Sequence, residues 1–403
     1  MAERLEIDFL DPQILRNPHP ALAQLRESAP LYHVQHVEMG ARPWLVTRYE
    51  DAISILSNDR LTKDRLRLPG SGDKRDMMAQ AAMSINRHML TVDPPDHTRL
   101  RSLIHKAFTP RMIRELEGRI QEISDTLIDD LLKQEQADLI ADFAVPLPVT
   151  VIAELLGIPM ADQEKFRYWS QVIVLEGLAN SNPDKVAAAA LEFIMYFHQM
   201  FDERRENPRD DLISALVQVE EAGEKLDQQE LISMVFLLLV AGHETTVNLI
   251  GNGMLALLQH PDQMEKLRQN PDMIKTAIEE MLRYDGPVGA STMRWTLEPL
   301  EMHGQVIPAG DMILTSLLGA NRDPEVFKNP DEFDITRTTN KHIAFGFGIH
   351  YCVGAPLARL EGAIAINTLL RRVPNLALAA DVNEIDWNAT LLLHGMKAMP
   401  IRV

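Results

Sequence analysis

Apolar residues recur along most of this chain at the three- and four-residue spacing of helices that face a core, and only a few short stretches alternate as strands do. Helices are expected at Ala21–Glu27, Tyr49–Leu56, Ile113–Leu132, Val149–Leu155, Asp162–Leu175 and Asp184–Arg205, the last ended by the turn Asn207-Pro208. The strand-like stretches are Leu31–Val34, Pro43–Thr47, Thr292–Thr296 and Met312–Ser316, with a hairpin expected near Leu391–Met396. The longest periodic stretch runs from Gln228 to His260 without a proline, with Asp227 as its capping residue and Pro261 ending it. At 1.5 Å per residue that helix would be about 50 Å long. Leu231, Val235, Leu238 and Leu239 make it apolar enough for a core.

Two stretches break the periodicity. Thr62 to Thr91 is polar, then rich in methionine (Met77, Met78, Met83, Met89), and reads as a long loop, either a lid or a disordered segment. Phe345 to Gly354 packs three glycines and three aromatics around Cys352, the one cysteine among 403 residues. Glycine at that density marks backbone that turns tightly or approaches something closely. The following Ala355-Pro356-Leu357 reads as the first turn of a helix, where proline is tolerated. Cys352 should therefore sit on a rigid loop just before a helix N-terminus, a place that favours the thiolate. A lone cysteine can equally be an inert buried residue, so the loop alone leaves both readings open.

Composition narrows the classes. Hydrophobic residues are 46% and charged residues 24%, ordinary for a globular protein with a sizeable core. A formal net charge of −18 argues against general binding to nucleic acid or anionic membranes. One cysteine excludes an internal disulfide and fits a reducing cytoplasm. Met1 to Leu10 carries no signal-peptide core and no apolar run reaches transmembrane length, so neither membrane anchor nor export is expected.

Local chemistry gathers at four places, each with a plain alternative. His97 and Arg101 stand at i and i+4 on a helix that Asp93-Pro94-Pro95-Asp96 opens; the pair is either a solvated basic face or a carboxylate-binding pair. Thr98 to Arg114 carries five basic residues and no acid, a local patch suited to an acidic partner. Gly242 costs roughly 1 kcal/mol in the middle of the long helix. It serves either packing or a flat ligand lying on the backbone. His243-Glu244 does not continue as a metalloprotease site, which needs a histidine where Val247 stands. Glu280 and Arg283, or Glu279 and Arg283, would by themselves be weak surface pairs.

Taken together these motifs resemble those of the cytochrome P450 family of haem-thiolate monooxygenases, in the family's order and across essentially the whole chain. Phe345-Gly346-Phe347-Gly348-Ile349-His350-Tyr351-Cys352-Val353-Gly354 matches every fixed position of the haem-binding loop. The resemblance implies that Cys352 is the axial ligand of haem b iron, with electron density pushed onto the metal. It implies that His97, Arg101, Arg294 and His350 bind the haem propionates, and that Phe345, Gly346 and Gly354 shape the loop. Ala241-Gly242-His243-Glu244-Thr245 resembles the oxygen-activating turn, with Ala241 and Gly242 against the haem, Thr245 at the oxygen and Glu244 relaying protons. The family's Glu-x-x-Arg selects Glu280 and Arg283, joined by Arg337, as a buried structural network.

The implied fold is mainly α with small β-sheets: one domain over residues 1–403, a triangular helical prism with haem between the long central helix and the Cys-loop helix. The implied reaction is hydroxylation or epoxidation of an apolar polyketide, macrolide, steroid or terpenoid with O₂, in the secondary metabolism of a bacterium. With one cysteine and no flavin segment, electrons would come from a separate ferredoxin or flavodoxin and its NAD(P)H-dependent reductase. A peroxide-driven peroxygenase and a non-enzymatic haem sensor or carrier are the alternatives. Substrate choice would lie in Thr62–Thr91, Phe166–Phe193 and Val288–Met293.

Overall fold

The computed structural model describes residues 6–35, 42–68, 85, 87–173, 182–221 and 224–403. Most of the expected lid, at 69–84 and 86, lies outside these, as do residues 174–181 within the Phe166–Phe193 region. The chain divides into two compact units. The first comprises Met1–Leu61, Gly118–Leu147 and Thr245–Val403; the second comprises Thr62–Glu117 and Pro148–Glu244.

In the first unit, strand Leu31–His33 pairs antiparallel with Trp44–Val46, which pairs parallel with Met312–Thr315. Met312–Thr315 in turn pairs antiparallel with Arg294–Thr296, and Ile313 stands opposite Arg294. Aromatic and β-branched residues fill these strands because they pack well on a pleated surface. Trp44, Val46 and Ile313 join Leu31, Ile55 and Leu61 in one apolar cluster. The register thus holds the Arg294 backbone against a rigid layer. Strand Leu300–Met302 returns as Gln305–Ile307 through His303 and Gly304, both at positive φ. That is the backbone twist tight hairpin turns require. Around Leu391–Met396 the expected hairpin takes the form of isolated bridges, Trp387↔Met396 and Val288↔Leu393, rather than strands.

Helix Ile274–Asp285 packs on Ala355–Arg372 in the same unit. Gly362 makes close packing against the long helix feasible, since a Cβ there would lie 3.0 Å from Leu249. Glu280 and Arg283 are fully buried and joined by two 2.8 Å hydrogen bonds, so the surface-pair reading does not hold. Arg283 also donates to the carbonyls of Pro330 and Glu332, and Glu280 accepts from Arg337 and from the Asp334 N–H. Every charge in this network is satisfied, as burial demands.

The second unit carries helices Asp96–Ala107, Pro110–Glu115, Gln163–Gln171, Pro183–Glu206 and Leu212–Gln218. The single helix expected at Ile113–Leu132 is two, Pro110–Glu115 and Glu117–Leu131, with the break at Leu116 just before Gly118, a poor helix former. Phe193, Phe197 and Phe201 line one buried face of their helix, and Phe236 meets Phe193 edge-on at 5.8 Å. The basic run is partly neutralised: Arg99 pairs with Glu230 and Arg111 with Glu115. Arg114 is exposed.

The long helix spans Gln228–Gln259, and the boundary between units falls inside it, at Glu244 and Thr245. It starts with a reciprocal capping box. Asp227 Oδ1 accepts from the Glu230 N–H at 2.8 Å, and Glu230 Oε2 accepts from the Asp227 N–H at 3.0 Å. By length and composition it could cross a membrane, but 72% of its most apolar window is buried inside the protein.

Candidate active site

The cysteine loop is built by its own backbone. Gly346 and Gly348 both adopt φ +74°, a region in which a side chain is strained. A Cβ on Gly348 would also stand 3.1 Å from the Leu56 carbonyl oxygen. That carbonyl accepts from Arg294 at 3.4 Å, so Arg294, buried on its strand, and the cysteine loop meet at one point. Gly346 N–H donates to Ile343 O and Cys352 N–H to Phe345 O, at 2.8 and 2.9 Å. Helix Ala355–Arg372 begins three residues after Cys352, with Gly354 as its cap residue. Cys352 is partly exposed, as a ligand needs to be. His350 closes the short 3₁₀ turn Gly348–His350.

Phe345 is clamped from outside the loop. The Arg359 guanidinium lies 4.4 Å from the centre of its ring, a cation–π contact. Arg359 is held in turn by a bidentate bond to Glu279, at 2.6 and 2.9 Å, and His342 Nε2 lies 3.1 Å from the same carboxylate. Burial alone would raise the Glu279 carboxyl; the bonds from Arg359 and His342 outweigh it and hold it at about 2. Sequence spacing had offered Glu279 only a partner four residues on.

The long helix opens in its middle. Every residue from Leu231 to Leu239 and from Thr246 to Leu257 is buried, whereas Ala241 is exposed and Gly242, Glu244 and Thr245 are half-buried. Ala241 and Thr245 are one turn apart and share a face. The Cβ that Gly242 lacks would lie 3.3 Å from Ile152, which gives this glycine a packing reason as well. Next to Thr245, Thr246 donates to Glu361, a carboxyl on the Ala355–Arg372 helix that is 1% exposed. Burial pushes Glu361 up to about 8, so it is mostly neutral at pH 7. Sequence reasoning passed over Glu361. Its signal was a lone acid in the otherwise apolar stretch after Leu360.

In the second unit His97 is buried and Arg101 half-buried on one helix. Buried Lys63 and His88 stand with them. Burial, then the charges of Arg101 and Lys63, push His97 down; burial and Lys63 push His88 to about 4. Such a surplus of positive potential suits an anion.

These residues fit a haem. The chain offers a fixed, accessible thiol, a bare segment of helix against which a flat group can lie, and cationic side chains of the kind propionates need. Among the described residues no cluster of three or more His, Cys, Asp or Glu could hold a metal ion.

Comparison with known proteins agrees. The family model described as Cytochrome P450 matches residues 149–374. The polyketide biosynthesis cytochrome P450 PksS of Bacillus subtilis is 45% identical over 96% of this chain and 95% of its own. Its solved structure superposes with a TM-score of 0.92, at 44% identity, over 98% of this chain and 99% of its own. The cytochrome P450 monooxygenase PikC of Streptomyces venezuelae is 44% identical over 99% of this chain and 94% of its own. The crystal structure of P450BioI in complex with acyl carrier protein ligated to hexadec-9Z-enoic acid matches with a TM-score of 0.87 and 37% identity, over 98% of this chain and all of that one.

Proposed function

Because the chain belongs to the cytochrome P450 family, a family of haem-b monooxygenases, we propose that it hydroxylates or epoxidises a polyketide, macrolide or similarly apolar product of secondary metabolism. O₂ is the oxidant, and a cytoplasmic ferredoxin or flavodoxin with its reductase supplies two electrons. One oxygen atom enters the substrate and the other leaves as water with two protons. We take the two compact units as one domain, because the chain passes between them four times, at residues 61/62, 117/118, 147/148 and 244/245.

The haem, when bound, supplies the centre at which dioxygen is reduced. The chain's own residues do the rest. Cys352 holds the iron as thiolate, and Arg294, His350, His97 and Arg101 hold the propionates. Thr245 presents a hydroxyl from the bare stretch of the long helix. Glu244, its side chain 20% exposed, links that hydroxyl to water. Consecutive residues on a helix point about 100° apart, which suits one to the substrate side and the other to solvent. The exposed apolar side chains Phe347, Ile349 and Tyr351 on the cysteine loop suit a redox partner.

The observation that carries this reading over a peroxygenase or a haem sensor is the opening of the long helix at Glu244 and Thr245. Peroxide brings its own protons and a sensor needs none, whereas O₂ reduction requires a delivered supply. The test is NADH consumption with a surrogate ferredoxin and reductase, across polyketide and macrolide compounds first selected by a Soret shift. Substrate-dependent consumption with an oxygenated product supports the reading. Product formed only with added peroxide contradicts it.

A further inference from the structure

One carboxylate joins three distant parts of the first unit. Asp285 ends the helix Ile274–Asp285, His19 opens the N-terminal helix His19–Ser28, and His394 follows the stretch Leu391-Leu392-Leu393 near the chain's end. His19 Nε2 lies 2.9 Å and His394 Nε2 3.1 Å from the same oxygen, Asp285 Oδ1. A carboxylate only accepts, so each ring carries a hydrogen on Nε2 and donates it. Burial alone would raise Asp285; the charge of His394 and the bonds from both rings outweigh it and hold the carboxyl well below its ordinary range. Burial, then the charge of Arg322, pushes His19 down to about 4, so its ring is neutral at pH 7. Its Nδ1 is accordingly a bare acceptor, buried without a partner among the described residues.

Two neighbouring stretches are fixed from this point. Val288 comes three residues after Asp285, and Leu393 directly precedes His394. Asn252 Nδ2, on the long helix, donates to the carbonyls of Asp285 and His394 at 3.2 and 3.0 Å. His394 N–H donates to Pro287 O and Gly289 N–H to Leu392 O, each at 2.9 Å. The approach is close enough that a Cβ on Gly289 would stand 2.7 Å from the Leu391 carbonyl oxygen. Gly395 lies against the Asn248 side chain, one helical turn beyond Thr245, so this stretch borders the proposed reaction site. Behind it, Leu22 and Leu25 of the N-terminal helix share an apolar cluster with Ala290, on which Met293 and Leu391 pack. A cavity lined in part by Pro18, Leu22, Gly289, Leu391, Leu393 and His394 remains between them. Apolar packing is incomplete there, so the hydrogen bonds at Asp285 set the spacing. We propose that Asp285 and His19 are positioning residues: through His394 they hold Leu391–Leu393 and Val288–Gly289 together as one wall of the substrate pocket, backed by the N-terminal helix. The proposal rests on the substrate-facing role that the family resemblance gives Val288–Met293.

The test reads the binding of two azoles to the haem-loaded full chain by their Soret shifts. Imidazole reaches little beyond the iron, whereas clotrimazole, a bulky triaryl imidazole, also presses on the pocket walls. His19→Phe removes the donor to Asp285, and His19→Gln supplies an amide N–H of similar reach. In His19→Phe the clotrimazole Kd should rise roughly tenfold, the scale of one hydrogen bond to a charged group, with the imidazole Kd and the ferrous-CO spectrum unchanged. His19→Gln should restore most of the loss. Because His19 acts through Asp285, His19→Phe should add nothing in an Asp285→Ala background; should that variant fail to hold haem, the effect should at least shrink in Asp285→Asn. An unchanged clotrimazole Kd in His19→Phe overturns the proposal even if Tm falls, since the bond is then structural alone. Equal weakening of both azoles, or full additivity with the Asp285 substitution, overturns it too. Neither azole needs to be turned over, so the NADH assay can fail and take the monooxygenase reading with it while this result stands, and the reverse holds as well.

Discussion

Replacing Glu361 by glutamine should remove a pH dependence of stability that its burial creates. Glu361 is 1% exposed, accepts one hydrogen bond from Thr246, and its Oε2 has no partner among the described residues. Burial raises it from 4.5 to about 8 in the folded chain. A raised acid holds its proton in the folded state after the unfolded chain has lost its own. Its contribution to stability is full below pH 4.5 and is lost as pH rises through 8. Each unit inside that window removes at most a little over 1 kcal/mol, so wild type should lose about 2–3 kcal/mol between roughly pH 5.5 and 7.5 from this group. With an unfolding entropy of about 2.1 cal/mol/K per residue, that is about 3 °C in Tm for a chain of this length. Glutamine keeps the shape without titrating, and any fixed cost of its amide is the same at every pH. The assay is thermal unfolding of haem-loaded wild type and Glu361→Gln over this range, read as the difference between the two curves. The gap should move in the variant's favour as pH rises. Parallel curves would refute the reasoning, because they would mean that Glu361 ionises normally.

Arg283→Ala removes the bidentate partner of a fully buried carboxylate, leaving it Arg337, and should cost about 3–5 kcal/mol, measured as denaturant unfolding of the purified protein. Glu279→Gln should lower stability at neutral pH by about 1–2 kcal/mol, since its carboxylate is nearly a third exposed. Because Glu279 is depressed in the folded state, that difference should be present above pH 4.5 and vanish as pH falls toward 2. Cys352→Ala should abolish the thiolate-type spectrum of the ferrous-CO complex; a retained native spectrum would remove Cys352 as the ligand.

Much of the site was legible because backbone constraints leave marks in sequence. Gly346 and Gly348 are needed where φ is positive, Asp227 and Glu230 announce the start of the long helix, and each of the four expected strands lies within two residues of its expected ends, whereas the hairpin Leu300–Met302/Gln305–Ile307 was not expected. What did not show is what distant pairing decides. By spacing alone Glu280 and Arg283 read as a surface pair; the carbonyls of residues 330 and 332, Arg337 and the Asp334 N–H make them the core network that the family resemblance implied. Arg99 looked available for a partner until Glu230, 131 residues away, claimed it. Glu361 looks like any helical glutamate until Thr246 and the packing around Gly362 enclose it.

The central claim is that this chain activates O₂ by delivering protons through Thr245, and the ratio of product to NADH consumed tests it most directly. Thr245→Ala should keep haem content, the CO spectrum and the substrate-induced Soret shift close to those of wild type. NADH should still be consumed, but less of the oxygen should appear in product and more as hydrogen peroxide. Equal product-to-NADH ratios at comparable rates in wild type and Thr245→Ala would contradict the account and leave the substrate itself as the better proton donor.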